Sequence, residues 1–176
     1  MTPLAQVTIL PSATLSQSQR AAIQALCSRA YEEDFSGIFD LFNAPTHVVA
    51  TVDGQFVSHA LWVTRLLDYN GTTLRSAYVE AVATEPAYQG RGYASAVLKA
   101  LAHEISTYDI GALSPSDPAF YTRLGWEVWQ GSLYVAQGAN MYATPDEEVM
   151  VLRLPHTPPL DRKGTLKAPW REGDVW

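Results

Sequence analysis

The chain has 176 residues, 47% of them hydrophobic, which is enough for one sizeable core and too few for two. A formal net charge of −6 and an isoelectric point near 5.1 argue against a nucleic-acid backbone as partner and suit a cationic one. No apolar run is long enough to cross a bilayer, and Met1-Thr2-Pro3-Leu4 lacks the charged-then-apolar pattern of a signal peptide, so a single cytoplasmic domain spanning 1–176 is expected.

In chain order, Val7 to Leu10 reads as a short first strand. Ser16-Gln17-Ser18-Gln19 fits a capping box opening a helix to about Tyr31. The single cysteine, Cys27, has no internal partner and shares the apolar face of that helix with Ile23, Leu26 and Ala30, so it reads as a small core filler rather than a catalytic thiol. The turn dipeptides Asp53-Gly54 and Asn70-Gly71 divide alternating apolar runs at Val48–Val52, Phe56–Leu67 and Leu74–Thr84, an antiparallel meander. His47, His59, His103 and His156 show no ligand-like spacing with each other or with Cys27, so no metal is expected.

The last strand of the meander, Tyr78-Val79-Glu80-Ala81-Val82-Ala83-Thr84, feeds Gln89-Gly90-Arg91-Gly92-Tyr93-Ala94 and then a helix with Val97, Leu98, Leu101, Ala102 and Ile105 on one face. A buried strand, a glycine-rich turn and a helix start aim backbone N–H groups and the positive end of a helix dipole at an anion. The Gly-Lys-Ser/Thr of a Walker loop and the G-x-G-x-x-G of a dinucleotide fold are both missing. Beyond this helix, Ile110-Gly111-Ala112-Leu113 reads as a short buried strand ending at Ser114. Asp117 offers an N-cap with Pro118 at the first position of a short helix that stops at Gly125. Trp126–Trp129 and Val149–Leu154 read as strands joined by a long irregular connection. Pro155, Pro158, Pro159 and Pro169 predict an extended tail over 155–176. The order β-α-(helix or loop)-β-β-β-α-β-α-β-β is an α+β layered architecture with a mixed, mostly antiparallel sheet flanked by helices.

Gln89-x-x-Gly92-x-Ala94 resembles the acyl-CoA pyrophosphate motif of the GNAT acetyltransferase superfamily, and the element order is that of the GNAT fold. The strand Y-V-E-x-V-A, Gly111-Ala112-Leu113-Ser114, Phe120-Tyr121 before Leu124-Gly125-Trp126, and the terminal Trp170-Arg171-Glu172-Gly173-Asp174-Val175-Trp176 resemble the aminoglycoside 2'-N-acetyltransferases within it. The similarity runs with gaps from about Asp34 to the end; Ser36–Ala44 and Gln130–Thr144 depart from the pattern.

That resemblance implies transfer of the acetyl group of acetyl-CoA to an aminoglycoside amine. Cofactor contacts would come from Val82 and Thr84, pairing like a strand with the pantetheine arm, and from Gln89, Gly90, Arg91, Gly92, Tyr93 and Ala94 at the diphosphate. Glu80, the one ionisable side chain in its apolar strand, would be a water-assisted general base and an amine ligand; a solvent-facing place on a half-exposed sheet is the alternative. Tyr121 would protonate the departing thiolate, or is a core aromatic beside Phe120 and Trp126. Asp34, Ser114, Glu147, Asp174 and the Trp176 carboxylate would line a site for a cationic sugar, with the tail docking there. Taken alone, Asp146-Glu147-Glu148 reads as a solvated charge run and the terminus as a frayed end. Two rivals stay open: a GNAT enzyme acting on a polyamine, an amino sugar or a protein N-terminus, and a non-catalytic acetyl-CoA or drug-binding module. A homodimer is compatible with the resemblance.

Overall fold

The computed structural model describes residues 4–176; the N-terminal reading on Met1, Thr2 and Pro3 lies outside them. Among the described residues, ten strands and three α-helices follow in the order β1 (Gln6–Pro11), α1 (Gln17–Tyr31), β2 (Thr46–Val52), β3 (Gln55–Tyr69), β4 (Thr72–Thr84), α2 (Tyr93–Glu104), β5 (Ile110–Leu113), α3 (Pro118–Thr122), β6 (Glu127–Val128), β7 (Leu133–Gln137), β8 (Asn140–Ala143), β9 (Met150–Arg153) and β10 (Leu166–Pro169). The described chain divides into two compact units. One comprises residues up to Val63 together with Val79–Glu104, and the other comprises Thr64–Tyr78 with Ile105–Trp176.

In the first unit β2 pairs antiparallel with both β1 and β3. The Asp53-Gly54 turn has positive φ at both residues (48° and 79°), the type I′ geometry whose twist matches the flanking strands. Helix α1 starts where the sequence predicts. Ser16 Oγ accepts from the Gln19 N–H at 3.1 Å and Gln19 Oε1 accepts from the Ser16 N–H at 2.9 Å, a reciprocal cap contributing about 1 kcal/mol. It buries Ile23, Leu26 and Cys27, while α2 buries Tyr93, Val97, Leu98 and Leu101 and packs on β2. The atypical stretch 36–44 contains a single 3-10 turn at Ile38–Leu41, and its Phe39 is buried.

The second unit opens with the Asn70-Gly71 turn, also positive in φ at both residues. The first half of β4 pairs parallel with β5, Ser76–Tyr78 against Ile110–Ala112. Strand β5 pairs antiparallel with β9, which pairs with β6. Strand β10 runs antiparallel to β3 and parallel to β7, and β7 pairs antiparallel with β8. Asp117 caps α3 and Pro118 opens it, as expected.

Two expectations need correction here. The connection between the strands at 126–129 and 149–154 is not irregular: it holds the β7–β8 hairpin. Its turn glycine, Gly138, has φ +59, but every residue of β8 is exposed, so no apolar alternation marks that strand. The tail is not merely extended, because Leu166–Pro169 is a strand with Leu166 and Ala168 buried; its proline falls on the last residue, where a missing N–H is tolerated.

Backbone meets backbone where the hairpin begins. The N–H groups of Gln130 and Gly131 both donate to the Arg162 carbonyl, and a Cβ on Gly131 would stand 1.8 Å from the Gly164 oxygen. The obstacle is main chain and cannot rotate away. Gly131→Ala is therefore expected to destabilise the protein by about 2–3 kcal/mol in urea unfolding, whereas a loss within about 0.5 kcal/mol would show that this approach is not constrained.

Candidate active site

In the first unit, β4 bears Glu80 half-buried and then departs from extended geometry: Ala81 has φ +51, in the left-handed region that residues with side chains rarely adopt. The carbonyls of the next three positions each accept from a side chain. His59 Nδ1 lies 2.8 Å from the Ala81 oxygen, the Tyr31 hydroxyl donates to Val82 at 2.9 Å, and the Ser58 hydroxyl donates to Ala83 at 3.1 Å. Arg29 forks onto the Glu85 carboxylate at 2.8–3.0 Å, tying the end of α1 to the residue that follows β4.

After β4 comes the glycine-rich turn. Gly90 and Gly92 have φ of +72° and +85°, which only glycine adopts without strain, and a Cβ at either would meet nothing within 4 Å. The turn is therefore both glycine-dependent and open around its backbone. The Gln89 amide donates to the Thr84 carbonyl at 3.2 Å, bracing turn against strand, and Arg91 is exposed with its guanidinium 5.3 Å from the Tyr88 ring. Tyr93 and Ala94 begin α2, whose first N–H groups have no intrahelical acceptor, so the segment has the geometry of an anion cradle. Asp34 lies just beyond α1, fully exposed. Its carboxylate accepts from the Ser36 N–H at 2.8 Å, and that bond holds its pKa below the usual aspartate value.

Behind Ala81 is a row of groups that linear spacing did not reveal. His47 Nδ1 lies 2.8 Å from His59 Nε2, and Cys27 Sγ lies 3.6 Å from His59 Nδ1, all three residues being buried. Because the Ala81 carbonyl can only accept, His59 carries its proton on Nδ1. Its Nε2 is then an acceptor, so His47 donates from Nδ1. Phe39 packs edge-on against His47 and tilted on His59, which gives the atypical 36–44 stretch a packing role. Burial is the main reason that His47 is pushed down to about 4, with Arg20 adding to it, and His59 to about 3, with His47 adding to it; both rings are neutral at ordinary pH. Burial likewise pushes the Cys27 thiol up to about 12, so its place in the core agrees with the sequence reading. Among the described residues, no three His, Cys, Asp or Glu side chains are grouped so as to hold a metal ion.

In the second unit, Ser114 is exposed at the end of β5, and Tyr121 is buried on α3 with its ring 6.2 Å from that of Trp126. Burial first, and the Asp117 charge second, push the Tyr121 phenol up to about 12. Glu147 is exposed and lines a cavity of about 560 Å³ together with Trp129, Tyr134, Thr144 and Lys163. The terminus is anchored: Trp176 is 5% exposed and its indole N–H donates to Thr144 Oγ1 at 2.9 Å. The buried Arg65 donates to the Pro169 and Val175 carbonyls and lies 4.7 Å from the Tyr78 ring, while Asp174 remains exposed, its carbonyl accepting from Arg171. Arg65 and Thr144 escaped the sequence reading because neither belongs to a local motif; the one available signal was an arginine within an apolar strand, which must find acceptors if buried.

Residues 13–129 match the acetyltransferase (GNAT) domain family. The chain is 35% identical to an aminoglycoside 2'-N-acetyltransferase of Mycolicibacterium fortuitum, over 96% of its own length and 90% of that protein's. Among solved structures it is similar to the GNAT N-acetyltransferase YhbS of Escherichia coli in complex with CoA, with a TM-score of 0.67 and 21% identity over 96% of this chain and 92% of that one. It is also similar to Eis1 of Mycobacterium abscessus, with a TM-score of 0.61 and 20% identity over 73% of this chain. The match spans only about a third of Eis1. The mixed sheet with few helices is the GNAT fold.

Neutral burial of two histidines sets a direction for stability against pH. The unfolded chain binds protons on both near pH 6.5 and the folded chain only near 4 and 3, so between those limits the unfolded state holds more protons and stability falls as pH falls. Urea unfolding at pH 6.5 and 4.5 is expected to show a loss on the order of 4 kcal/mol from this pair, roughly halved in His59→Asn. An equal loss in both proteins would mean that His59 is not buried neutral.

Proposed function

The chain belongs to the GNAT acetyltransferase family, and on that premise we propose that it moves the acetyl group of acetyl-CoA to an amine of an aminoglycoside, the 2'-amine. The observation that carries the acceptor is the relative of that activity, 35% identical and matched over nearly the full length of both chains. The anchored terminus supports it, because Trp176 and Asp174 belong to an ordered segment, and Glu147 lines the same cavity as Thr144, the partner of the Trp176 indole.

The cofactor supplies a thioester whose acyl carbon is open to a neutral amine. The glycine-rich turn fits its diphosphate: Gly90 and Gly92 leave the approach to the backbone open, Arg91 is exposed, and the start of α2 offers N–H groups with the positive end of its dipole. Val82 and Thr84 would pair with the pantetheine arm through backbone groups, and the Val82 N–H would take the thioester oxygen. Gln89, bonded to Thr84, would hold turn and strand in one conformation.

An aminoglycoside arrives as a set of ammonium groups, so the reacting nitrogen must lose a proton before attack. Glu80 would accept it through water. As the C–N bond forms and the C–S bond breaks, the sulfur needs a proton, which Tyr121 would supply, and the proton that the new amide nitrogen sheds would return through water to the phenolate. A phenol raised to about 12 retains its proton at neutral pH and so has one to give. Asp34, Ser114, Glu147, Asp174 and Trp176 would take the remaining ammonium and hydroxyl groups. Each partly desolvated pair would contribute on the order of 1–3 kcal/mol, and each exposed pair under about 1 kcal/mol.

Tobramycin and kanamycin A differ at the decisive atom, the first bearing a 2'-amine and the second a 2'-hydroxyl. Turnover of acetyl-CoA with tobramycin at least about 100-fold faster than with kanamycin A or spermidine is the expected result. Equal acetylation of both drugs would remove the 2' assignment, and turnover of spermidine alone would remove the aminoglycoside.

A further inference from the structure

Among the described residues five non-glycine residues have a positive φ: Asp53 and Asn70 sit in hairpin turns, Glu32 closes a helix, Ala44 lies in the loop before β2, and Ala81 stands within a strand. Ala81 alone of these lies inside a strand, between the proposed base and the proposed backbone donor, and an alanine holds a left-handed conformation there only where its surroundings over-determine it. The surroundings are visible. The Ala81 carbonyl oxygen lies 2.8 Å from His59 Nδ1, the His59 ring is fully buried, and its Nε2 lies 2.8 Å from His47 Nδ1. His47 and His59 lie on adjacent strands, where His47 pairs with Leu61 and His59 with Val49, so they are diagonal neighbours on one face. With His47 donating to Nε2, the His59 tautomer that presents Nδ1–H to Ala81 is the one that leaves no ring nitrogen unmatched. Phe39 closes over both rings and Cys27 fills the space beside Nδ1.

We infer that His59 is a positioning residue for the transfer: its Nδ1–H, held in that tautomer by His47, keeps β4 in the left-handed turn at Ala81 and so sets the directions of the Glu80 carboxylate and the Val82 backbone. This rests on the proposed roles of Glu80 and Val82. His59 touches no reacting atom and acts wholly through the carbonyl it holds. Tyr31 and Ser58, on the next two carbonyls, hold the strand beyond the turn but leave the turn itself to His59.

The test compares the parent with His59→Leu, His59→Asn and the double variant His59→Leu/Ala81→Gly in steady-state kinetics. In the ligand-free proteins it also follows the Ala81 carbonyl ¹³C shift. His59→Leu removes the donor and is expected to lower kcat at least about tenfold with the acceptor KM changed less than about threefold. The asparagine amide nitrogen stands near where Nδ1 stood, so His59→Asn recovers most of that loss. Glycine adopts positive φ without a clamp, so the double variant turns over at least about threefold faster than His59→Leu. His59→Asn as slow as His59→Leu while folded, or no gain from Ala81→Gly, would overturn the inference by marking His59 as core packing alone. Should His59→Leu fail to fold, His59→Asn decides: a parent-like Ala81 shift with retained turnover supports the clamp, and lost turnover in the folded variant overturns it. Should the parent acetylate no aminoglycoside, the reading of the acceptor fails by itself. The clamp is then decided by the Ala81 shift, which moves upfield on loss of the donor or, if unchanged, refutes it.

Discussion

One backbone conformation sets the directions of two neighbouring groups: the left-handed turn that β4 makes at Ala81, between Glu80 and Val82. In a flat strand Glu80 and Val82, two residues apart, would share one face of the pleat. An alanine in this region costs about 1–2 kcal/mol, which the bond from the fully buried His59 to the Ala81 carbonyl offsets at the turn itself. The Tyr31 and Ser58 bonds to the next two carbonyls hold the strand into which the turn leads. They come from the body of β3 and the end of α1, so the packing of α1 through Ile23, Leu26 and Cys27 also supports the turn.

The second unit supports function differently, by fixing a chain end. Ordering a terminus costs conformational entropy, and here Trp176 burial, its bond to Thr144, the Arg65 bonds to two tail carbonyls and the pairing of β10 between β3 and β7 offset it. The consequence is chemical. Asp174, exposed on that anchored segment, would be a pre-placed anion for the proposed cationic acceptor.

Features written in local chemistry were legible in the sequence. The Ser16 cap, both type I′ turns, the Asp117-Pro118 helix start and the glycine-rich turn stand where residue types alone place them, because each depends on neighbours within four or five positions. The β7–β8 hairpin was missed, since β8 buries nothing, and β10 was hidden among prolines. At the proposed site, Glu80 stood out as a charge in an apolar strand, but the turn beside it did not. Alanine gives no hint of positive φ, and the His47–His59 pair exists only through the β2–β3 register. Ser36–Ala44 fitted no pattern because its contribution is tertiary: Phe39 packing on two imidazoles.

The most direct measurement is the dependence of kcat/KM on pH for the parent and Glu80→Gln with an aminoglycoside as acceptor. If Glu80 removes the proton from the attacking amine, the parent falls on an acidic limb that the glutamine variant lacks, and the variant is slower by at least about 100-fold near neutrality. A Glu80→Gln protein that acetylates as fast as the parent across the whole range would contradict it.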